Sequence, residues 1–258
     1  MEMISKEYLI SILDKKTRVD GRKLEDYRKV EVEYDISKNA EGSSKVRIGD
    51  TEVMAGIKLE VGTPYPDSPD EGTIIVGAEF LPISNPEFES GPPSIASVEL
   101  SRVVDRGIRE SKALDFKKLC IVEGEKIWMV LIDIYVMNDD GNLQDAAALA
   151  ALAALSKAKM PKYDVESGKI NYKEKDGKLP LEKMPVECSL AKIGEHILVD
   201  PGIEEEGLLD ARLTVASVGK EVNALQKGGN GTLSIDDVDK MLKLAVEKNA
   251  DNLKKVKK

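Results

Sequence analysis

The segment SIASVELSRVVDRGIRESKALD, residues 94–115, is the most informative part of this 258-residue chain. Ser94 is a favourable helix N-cap, and the apolar residues after it recur at i, i+3, i+4, i+7 and i+8, the spacing of one buried helix face. That face consists of Leu100, Val103, Val104, Gly107 and Ile108. The pattern predicts an amphipathic helix from Ser94 to about Lys112.

Three arginines lie on the opposite side of this predicted helix. Arg102, Arg106 and Arg109 fall within about one sixth of a turn of each other. Guanidinium groups in a row suit phosphates, because each offers a forked set of donors and stays charged at any working pH. The alternative is a solvated face with Arg102–Asp105 and Arg106–Glu110 ion pairs, which is the commoner outcome for a helix of unknown context. The residues alone leave both interpretations open.

The rest of the chain repeats one pattern twice, hairpins followed by a helix. Strands are predicted at 30–36, 44–48, 52–59, 73–81, 126–137, 186–192, 196–199, 211–217 and 221–226, and further helices at 4–16, at 144–159 and from Ser234 onward. Two successive rounds of this kind predict an α+β fold with two similar halves that share a core.

The predicted domain organisation follows from a polar stretch in the middle of the chain. We divide the sequence into an N-terminal helix (1–16), a first half (17–160), a polar excursion or linker (161–182), and a second half that includes the C-terminal helix (183–258).

Composition limits the classes of function. The 38 basic and 47 acidic residues give a net charge of −9, the wrong sign for a protein that coats nucleic acid over its whole surface. Any RNA contact must therefore come from a local basic patch or from a partner. Cys120 and Cys188 lack metal-ligand spacing. No apolar run approaches the ~18 residues of a membrane span, and the N-terminus is not of the signal-peptide type. These features predict a cytoplasmic protein with no membrane contact, no cofactor and no metal.

Five motifs occur in a fixed order along the chain. They are RVDGR at 18–22, GDTEV at 49–53, ELSRVVDRGIRESKALD at 99–115, DDGNLQDAAALAAL at 139–152 and LVDPGIEEEGLLDARLTV at 198–215. Together they resemble the RNase PH superfamily, and most closely the non-catalytic RNase PH-like subunits of the archaeal exosome. The resemblance extends from about Thr17 to about Gln226 and implies the RNase PH-like fold, two similar βαβ-type halves.

The resemblance also implies a chemistry, in which phosphate attacks the 3′-terminal linkage of RNA and releases nucleoside diphosphates. An active member carries a GGTRT-like turn where this chain has residues 141–145. The position of the phosphate-binding arginine is Gln144, which is neutral, and Asp145 beside it would repel phosphate. We therefore expect no phosphate to bind at this turn.

The acidic residues of the family site are altered as well. Its paired aspartates, six residues apart, correspond to Glu204 and Asp210. The longer glutamate displaces the carboxylate by about one methylene, and a misplacement near 1 Å can cost ~100-fold in rate. The simplest interpretation of residues 204–206 is a solvated acidic loop. Gln144, Asp145, Glu204 and Asp210 are thus predicted to be degenerate active-site positions, and no catalytic residue is expected.

The resemblance finally implies partners. They are a catalytic RNase PH-like subunit, with three heterodimers closing a hexameric ring, the RNA-binding cap proteins of the exosome, and single-stranded RNA. Arg102 and Arg106 are expected to grip RNA near the partner's active site, with Arg109 as a weaker candidate. Two alternatives stay open, an autonomous phosphorolytic exoribonuclease and a structural ring spacer without RNA contact.

Overall fold

The structure is a computed structural model that describes residues 4–257, and its first half is built on a six-stranded sheet. A short helix, α1 (Lys6–Leu13), precedes the sheet. The strands are β1 (Val30–Tyr34), β2 (Gly42–Ile48), β3 (Thr51–Gly62), β4 (Thr73–Phe80), β5 (Cys120–Val122) and β6 (Lys126–Asn138). Their order is β1-β2-β3-β6-β4, with β5 paired to β6. β4 and β6 run parallel, and the other pairs are antiparallel.

Two helices cover one face of this sheet, α2 (Ile95–Glu110) and α3 (Leu143–Lys157). The predicted cap of α2 is confirmed, since the Ser94 side chain accepts a hydrogen bond from the Ser97 amide at 3.2 Å. The whole predicted apolar face of α2 is buried. α3 is buried almost all round from 144 to 155, because its alanines allow the backbones of neighbouring elements to approach closely. A β-carbon at Gly42 of β2 would overlap with the carbonyl oxygen of Ala154.

The polar segment between the two predicted halves forms a hairpin of its own. β7 (Lys159–Asp164) and β8 (Lys169–Lys178) pair antiparallel and make a separate two-stranded sheet. The excursion predicted for 161–182 is therefore a folded one. Its secondary structure was not predicted from the sequence, because β8 is exposed along nearly its whole length and lacks apolar alternation.

The second half is a four-stranded antiparallel sheet with one long helix. Its elements are β9 (Val186–Ile193), β10 (His196–Val199), the single-turn helix α4 (Ile203–Glu206), β11 (Ala211–Val218), β12 (Glu221–Gly228) and α5 (Ile235–Val256). The strand order is β10-β9-β11-β12. Ser234 and Asp237 form a capping box at the start of α5, as the predicted start of that helix requires.

α3 lies between the two sheets, since it contacts β2 and β3 on one side and β9 on the other. The predicted α+β fold with two hairpin-and-helix halves around a shared core is confirmed. The first helix is shorter than predicted, because it covers 6–13 rather than 4–16, and residues 1–3 lie outside the described part. Within residues 4–257, no helix combines the length and the apolar composition that crossing a membrane requires.

Candidate functional site

The three arginines of α2 share one surface, which we call the arginine face (Arg102, Arg106 and Arg109). All three line an open depression of about 330 Å³, bordered by Val76 of β4 and by acidic residues of α2. The buried apolar stripe on the opposite side of α2 fixes this orientation. The prediction that the helix presents its arginines together is confirmed.

Arg106 is held in place by the second half of the chain. Its Nη1 donates to the carbonyl oxygen of Leu225 and to Oε1 of Gln226, both at 3.1 Å. Glu99, about two turns before Arg106 on α2, accepts a hydrogen bond from Arg212 Nη2 at 2.9 Å. These bonds tie α2 to β11 and β12, so the direction of the Arg106 guanidinium depends on both halves. The other donors of that guanidinium remain available for a ligand.

The ion pair that forms on the arginine face is not one of the two that were predicted. Asp105 accepts two hydrogen bonds from Arg109, at 2.8 and 3.1 Å, because the two residues are one turn apart. Neither Arg102–Asp105 nor Arg106–Glu110 forms an ion pair, and Arg102 has no hydrogen-bonding side-chain partner within residues 4–257. The hydrogen bonds with Asp105 raise the pKa of Arg109. The structure thus leaves Arg102 free, anchors Arg106 and neutralises Arg109.

The turn at 141–145 is packed against the second half rather than open. Gly141 has φ +83°, and a β-carbon there would overlap with the backbone of Gly202 and Ile203. Thr51 Oγ1 donates to the Gly141 carbonyl oxygen at 2.6 Å. Asn142 adopts a left-handed conformation, with φ 58° and ψ 43°, and begins α3. The turn is therefore tightly fixed.

Asp200 binds this turn to the N-terminal segment. Its carboxylate accepts hydrogen bonds from Asn142 Nδ2 at 2.7 Å, Arg28 Nη2 at 2.8 Å and Arg22 Nη1 at 2.9 Å. Burial alone would raise the pKa of Asp200, but the hydrogen bonds and charge of Arg28 outweigh it and lower the pKa below its ordinary value. The RVDGR motif and Arg28 therefore stabilise the fold around the turn.

Gln144 and Asp145 both point into the protein. Gln144 is buried, and its Oε1 has no partner within the described residues. Asp145 is fully buried and accepts hydrogen bonds from the Tyr27 hydroxyl, from Asn142 Nδ2 at 2.8 Å and from the Ser189 amide at 3.0 Å. Burial raises the pKa of Asp145 to about 6. The expected repulsion of phosphate by Asp145 is corrected accordingly, since its carboxylate joins the two halves of the chain inside the core.

Besides Asp200 and Asp139, Glu206 also contacts the turn through its carboxylate. The amide of Asn142 donates to Glu206 Oε1 at 3.0 Å. Desolvation raises the pKa of Glu206 to about 7, although the residue keeps some solvent exposure and the Asn142 hydrogen bond acts in the opposite direction. The family resemblance pointed to Glu204 instead, which makes no side-chain hydrogen bond or ion pair anywhere in residues 4–257. Only the orientation of α4 distinguishes the two glutamates.

The acidic run 204–206 is not a solvated loop, and that interpretation was wrong. It forms α4, and Glu205 is only 4% exposed. Arg18 of the RVDGR motif, 2% exposed, binds both carboxylate oxygens of Glu205, with Nε donating to Oε1 at 2.8 Å. A buried bidentate pair of this kind compensates both charges. The partners are 187 positions apart in sequence, so local patterns contain no signal of it.

Asp210 is engaged elsewhere. Its carboxylate accepts hydrogen bonds from Lys6 Nζ at 2.5 Å and from the Gly194 amide at 2.8 Å. The Lys6 hydrogen bond lowers the pKa of Asp210 below its ordinary value. Within the described chain, no hydrogen bond or ion pair joins Asp210 or Glu204 to residues 141–145. The structure therefore does not assemble these carboxylates and the turn into one hydrogen-bonded group.

A further buried carboxyl group lies behind the arginine face. Glu187 of β9 is 2% exposed, and its Oε2 has no partner within the described residues. A β-carbon at Gly107 of α2 would overlap with Glu187 Oε1. Burial raises the pKa of Glu187 well above its ordinary value, the charge of Asp145 adds to this, and Arg106 opposes it. The absence of a side chain at position 107 makes room for Glu187.

The chain matches two models of one family. Residues 26–161 match the first domain of the 3′ exoribonuclease family RNase PH, and residues 183–248 match its second domain. The predicted boundaries at 160 and 183 stay predictions in their own right.

Curated relatives and solved structures point in the same direction. The chain is 44% identical to the exosome complex component Rrp42 of Methanothermobacter thermautotrophicus, over 95% of this chain and 91% of the relative. It is 42% identical to that of Thermococcus onnurineus, over 99% and 95%. Among solved structures, it superposes with a TM-score of 0.90 and 43% identity on a chain of the Archaeoglobus fulgidus exosome with RNA bound to the active site, covering 97% of this chain and 96% of that one. A chain of an archaeal exosome core gives a TM-score of 0.86 at 41% identity, with 98% and 96% covered.

Proposed function

This chain belongs to the 3′ exoribonuclease family RNase PH. From that premise we propose that it is a non-catalytic, RNA-binding subunit of an archaeal-type exosome. In this role it holds RNA for a catalytic partner and helps to structure the partner's active site. The relatives named above are exosome components, and one of the similar structures holds RNA at its active site.

The observation that carries the non-catalytic part is the state of the turn at 141–145. An active member needs an arginine and free backbone amides there to hold phosphate. In this chain the corresponding side chain is Gln144, which is neutral and buried. The Asn142 amide already binds the chain's own carboxylate, Glu206. The turn therefore lacks the phosphate-binding arginine at position 144, and its Asn142 amide is not available to a second anion.

The proposed RNA binding rests on Arg102 and Arg106. Arg102 is exposed and unpaired within the described residues, and Arg106 keeps donors free while Leu225 and Gln226 fix its direction. Arg109 is neutralised by Asp105, so it contributes less. Because Arg106 is already held in position, it can bind a phosphodiester at a small cost in side-chain entropy.

The proposal includes the partners. Because the chain keeps the architecture of its family without the catalytic turn, we infer that it acts within an assembly. The proposed partners are a catalytic RNase PH-like subunit, with three heterodimers in a hexameric ring, and RNA-binding cap proteins. Support comes from the archaeal exosome core, a multi-subunit structure to which 98% of this chain aligns.

The test of the proposal is a turnover assay on the purified chain with single-stranded RNA, phosphate and Mg²⁺. We expect no release of nucleoside diphosphates from the chain alone, and measurable RNA binding that depends on Arg102 and Arg106. Turnover in a preparation shown to be free of partner would identify an autonomous exoribonuclease. Turnover only with the partner, but unchanged by loss of both arginines, would identify a structural spacer.

A further inference from the structure

The β7–β8 hairpin is a basic surface on an acidic protein. The hairpin, residues 159–178, contains six lysines against four acidic residues, whereas the whole chain carries a net charge of −9. All six lysines are exposed: Lys159, Lys162, Lys169, Lys173, Lys175 and Lys178. The net charge of the remaining residues is therefore more negative than −9. The hairpin is a local region of positive potential.

Several of these lysines have no acidic partner. Lys162 pairs with Glu174 at 3.0 Å, and Lys175 lies 3.7 Å from Glu41, which Lys58 already binds at 2.9 Å. In contrast, Lys169, Lys173 and Lys178 make no ion pair within residues 4–257. Their charges face solvent without an ion pair, and Asp164, Glu166 and Asp176 of the same hairpin are exposed as well.

An exposed aromatic ring lies among these lysines on a fixed backbone. Tyr172 is 42% exposed, its hydroxyl donates to the Leu59 carbonyl oxygen at 3.3 Å, and Lys58 Nζ lies 4.6 Å from the ring centroid. The contact with β3 fastens the hairpin to the first sheet. The register of the β7–β8 pairing shifts on both sides of Pro161. The facing stretch of β8 is therefore irregular. Lysines interleaved with an aromatic ring are typical of surfaces that bind single-stranded nucleic acid.

We propose that the β7–β8 hairpin is a second contact surface for the phosphate backbone of single-stranded RNA, separate from the arginine face. This inference rests on the proposed function in one respect, that the bound polymer is RNA. The charge and the exposure of the hairpin do not depend on α2. RNA fits this surface better than a protein partner does, since lysine is depleted at protein–protein interfaces and phosphates need unpaired cations.

The test compares two triple variants of the full-length chain. In the first, Lys169, Lys173 and Lys178 are replaced by serine; in the matched control, the replaced lysines are Lys220, Lys240 and Lys255. The control lysines are also exposed and have no ion pair within the described residues, so both variants lose the same charge. Binding of a fluorescent single-stranded RNA of about 30 nucleotides, long enough for more than one contact surface, is measured between about 50 and 200 mM salt.

We expect the hairpin variant to bind more weakly than the control and to show a salt dependence that is flatter by about 0.7 per lost phosphate contact. Equal affinity and equal salt dependence for the two variants would overturn the inference, as would the absence of RNA binding by the unmodified chain. Protection of the three hairpin lysines from acetylation in an RNA-free assembly would assign the hairpin to a protein partner and overturn it too.

A parallel variant, Arg102→Glu with Arg106→Glu, separates this inference from the proposed function. Loss of binding in the arginine variant alone refutes only the hairpin surface. Loss in the hairpin variant alone refutes the arginine face and leaves the second surface standing.

Discussion

At the scale of single residues, the carboxylate of Glu206 binds a backbone amide of the turn at 141–145. Glu206 accepts the Asn142 amide, and its pKa is raised to about 7 by desolvation. Because this pKa lies above the ordinary value of 4.5, the folded chain holds a proton between these two pH values that the unfolded chain has released. The contribution of this group to stability is therefore fully present below pH 4.5 and is lost as the pH rises through 7.

Glu206→Gln tests this directly, because glutamine keeps an oxygen for the Asn142 amide but never ionises. We expect the free energy of unfolding of the variant to rise relative to the unmodified chain by about 1–3 kcal/mol between pH ~4.5 and ~8. Urea unfolding at several pH values measures the difference. Glu204→Gln is the control, since that carboxylate has no hydrogen-bond partner within residues 4–257. A difference that stays constant with pH would show that Glu206 is not desolvated.

At the scale of elements, α2 contains Gly107 in its interior, although glycine is unfavourable there. Gly107→Ala would normally stabilise an exposed helix by about 1 kcal/mol, but here the new β-carbon overlaps with the buried Glu187 carboxylate. We expect the variant to lower the free energy of unfolding by about 1–3 kcal/mol.

The same substitution made in a Glu187→Ala background should instead be neutral or stabilising, because the obstructing carboxylate is gone. Thermal or urea unfolding of the four chains of this double-mutant cycle gives the coupling. Equal destabilisation by Gly107→Ala in both backgrounds would mean that Glu187 does not explain the glycine.

The elements with strong apolar periodicity were predictable from the sequence, and the contacts between distant segments were not. Ser94 and the stripe of α2 gave the helix and the exposure of its arginines, because both signals are local. The β7–β8 hairpin lacks such periodicity, and the choice between Glu204 and Glu206 depends on the direction of a single helical turn. The Arg18–Glu205 pair required knowledge of how the two halves meet.

At the scale of the whole molecule, the proposed function requires an assembly. When the chain is co-expressed with an RNase PH-like partner that carries an intact phosphate turn, we expect a heterodimer that closes into a ring of three pairs. Native mass spectrometry measures the stoichiometry. Homo-oligomers of this chain alone, with the partner present and unbound, would contradict the division of labour between subunits.

The catalytic acid of that assembly should belong to the partner. Asp210 of this chain is occupied by Lys6 and by the Gly194 amide. We therefore expect Asp210→Asn to leave the phosphorolysis rate of the complex within about twofold of the unmodified rate, a difference of less than ~0.5 kcal/mol in the barrier. Loss of activity in this variant, with ring formation intact by size, would place catalysis in this subunit.

The most direct measurement of the central claim is the phosphorolysis rate of the assembled complex with Arg102→Glu and Arg106→Glu in this chain. Both side chains lie opposite the buried stripe of α2, so the core should persist, and ring formation is checked by size because Arg106 also binds Leu225 and Gln226. The matched control is Lys220→Glu with Lys240→Glu, two exposed lysines without ion pairs within the described residues. We expect at least tenfold slower release of nucleoside diphosphates from the arginine variant, about 1.4 kcal/mol or more in the barrier, and an unchanged rate in the control. A normal rate in the arginine variant would contradict the account.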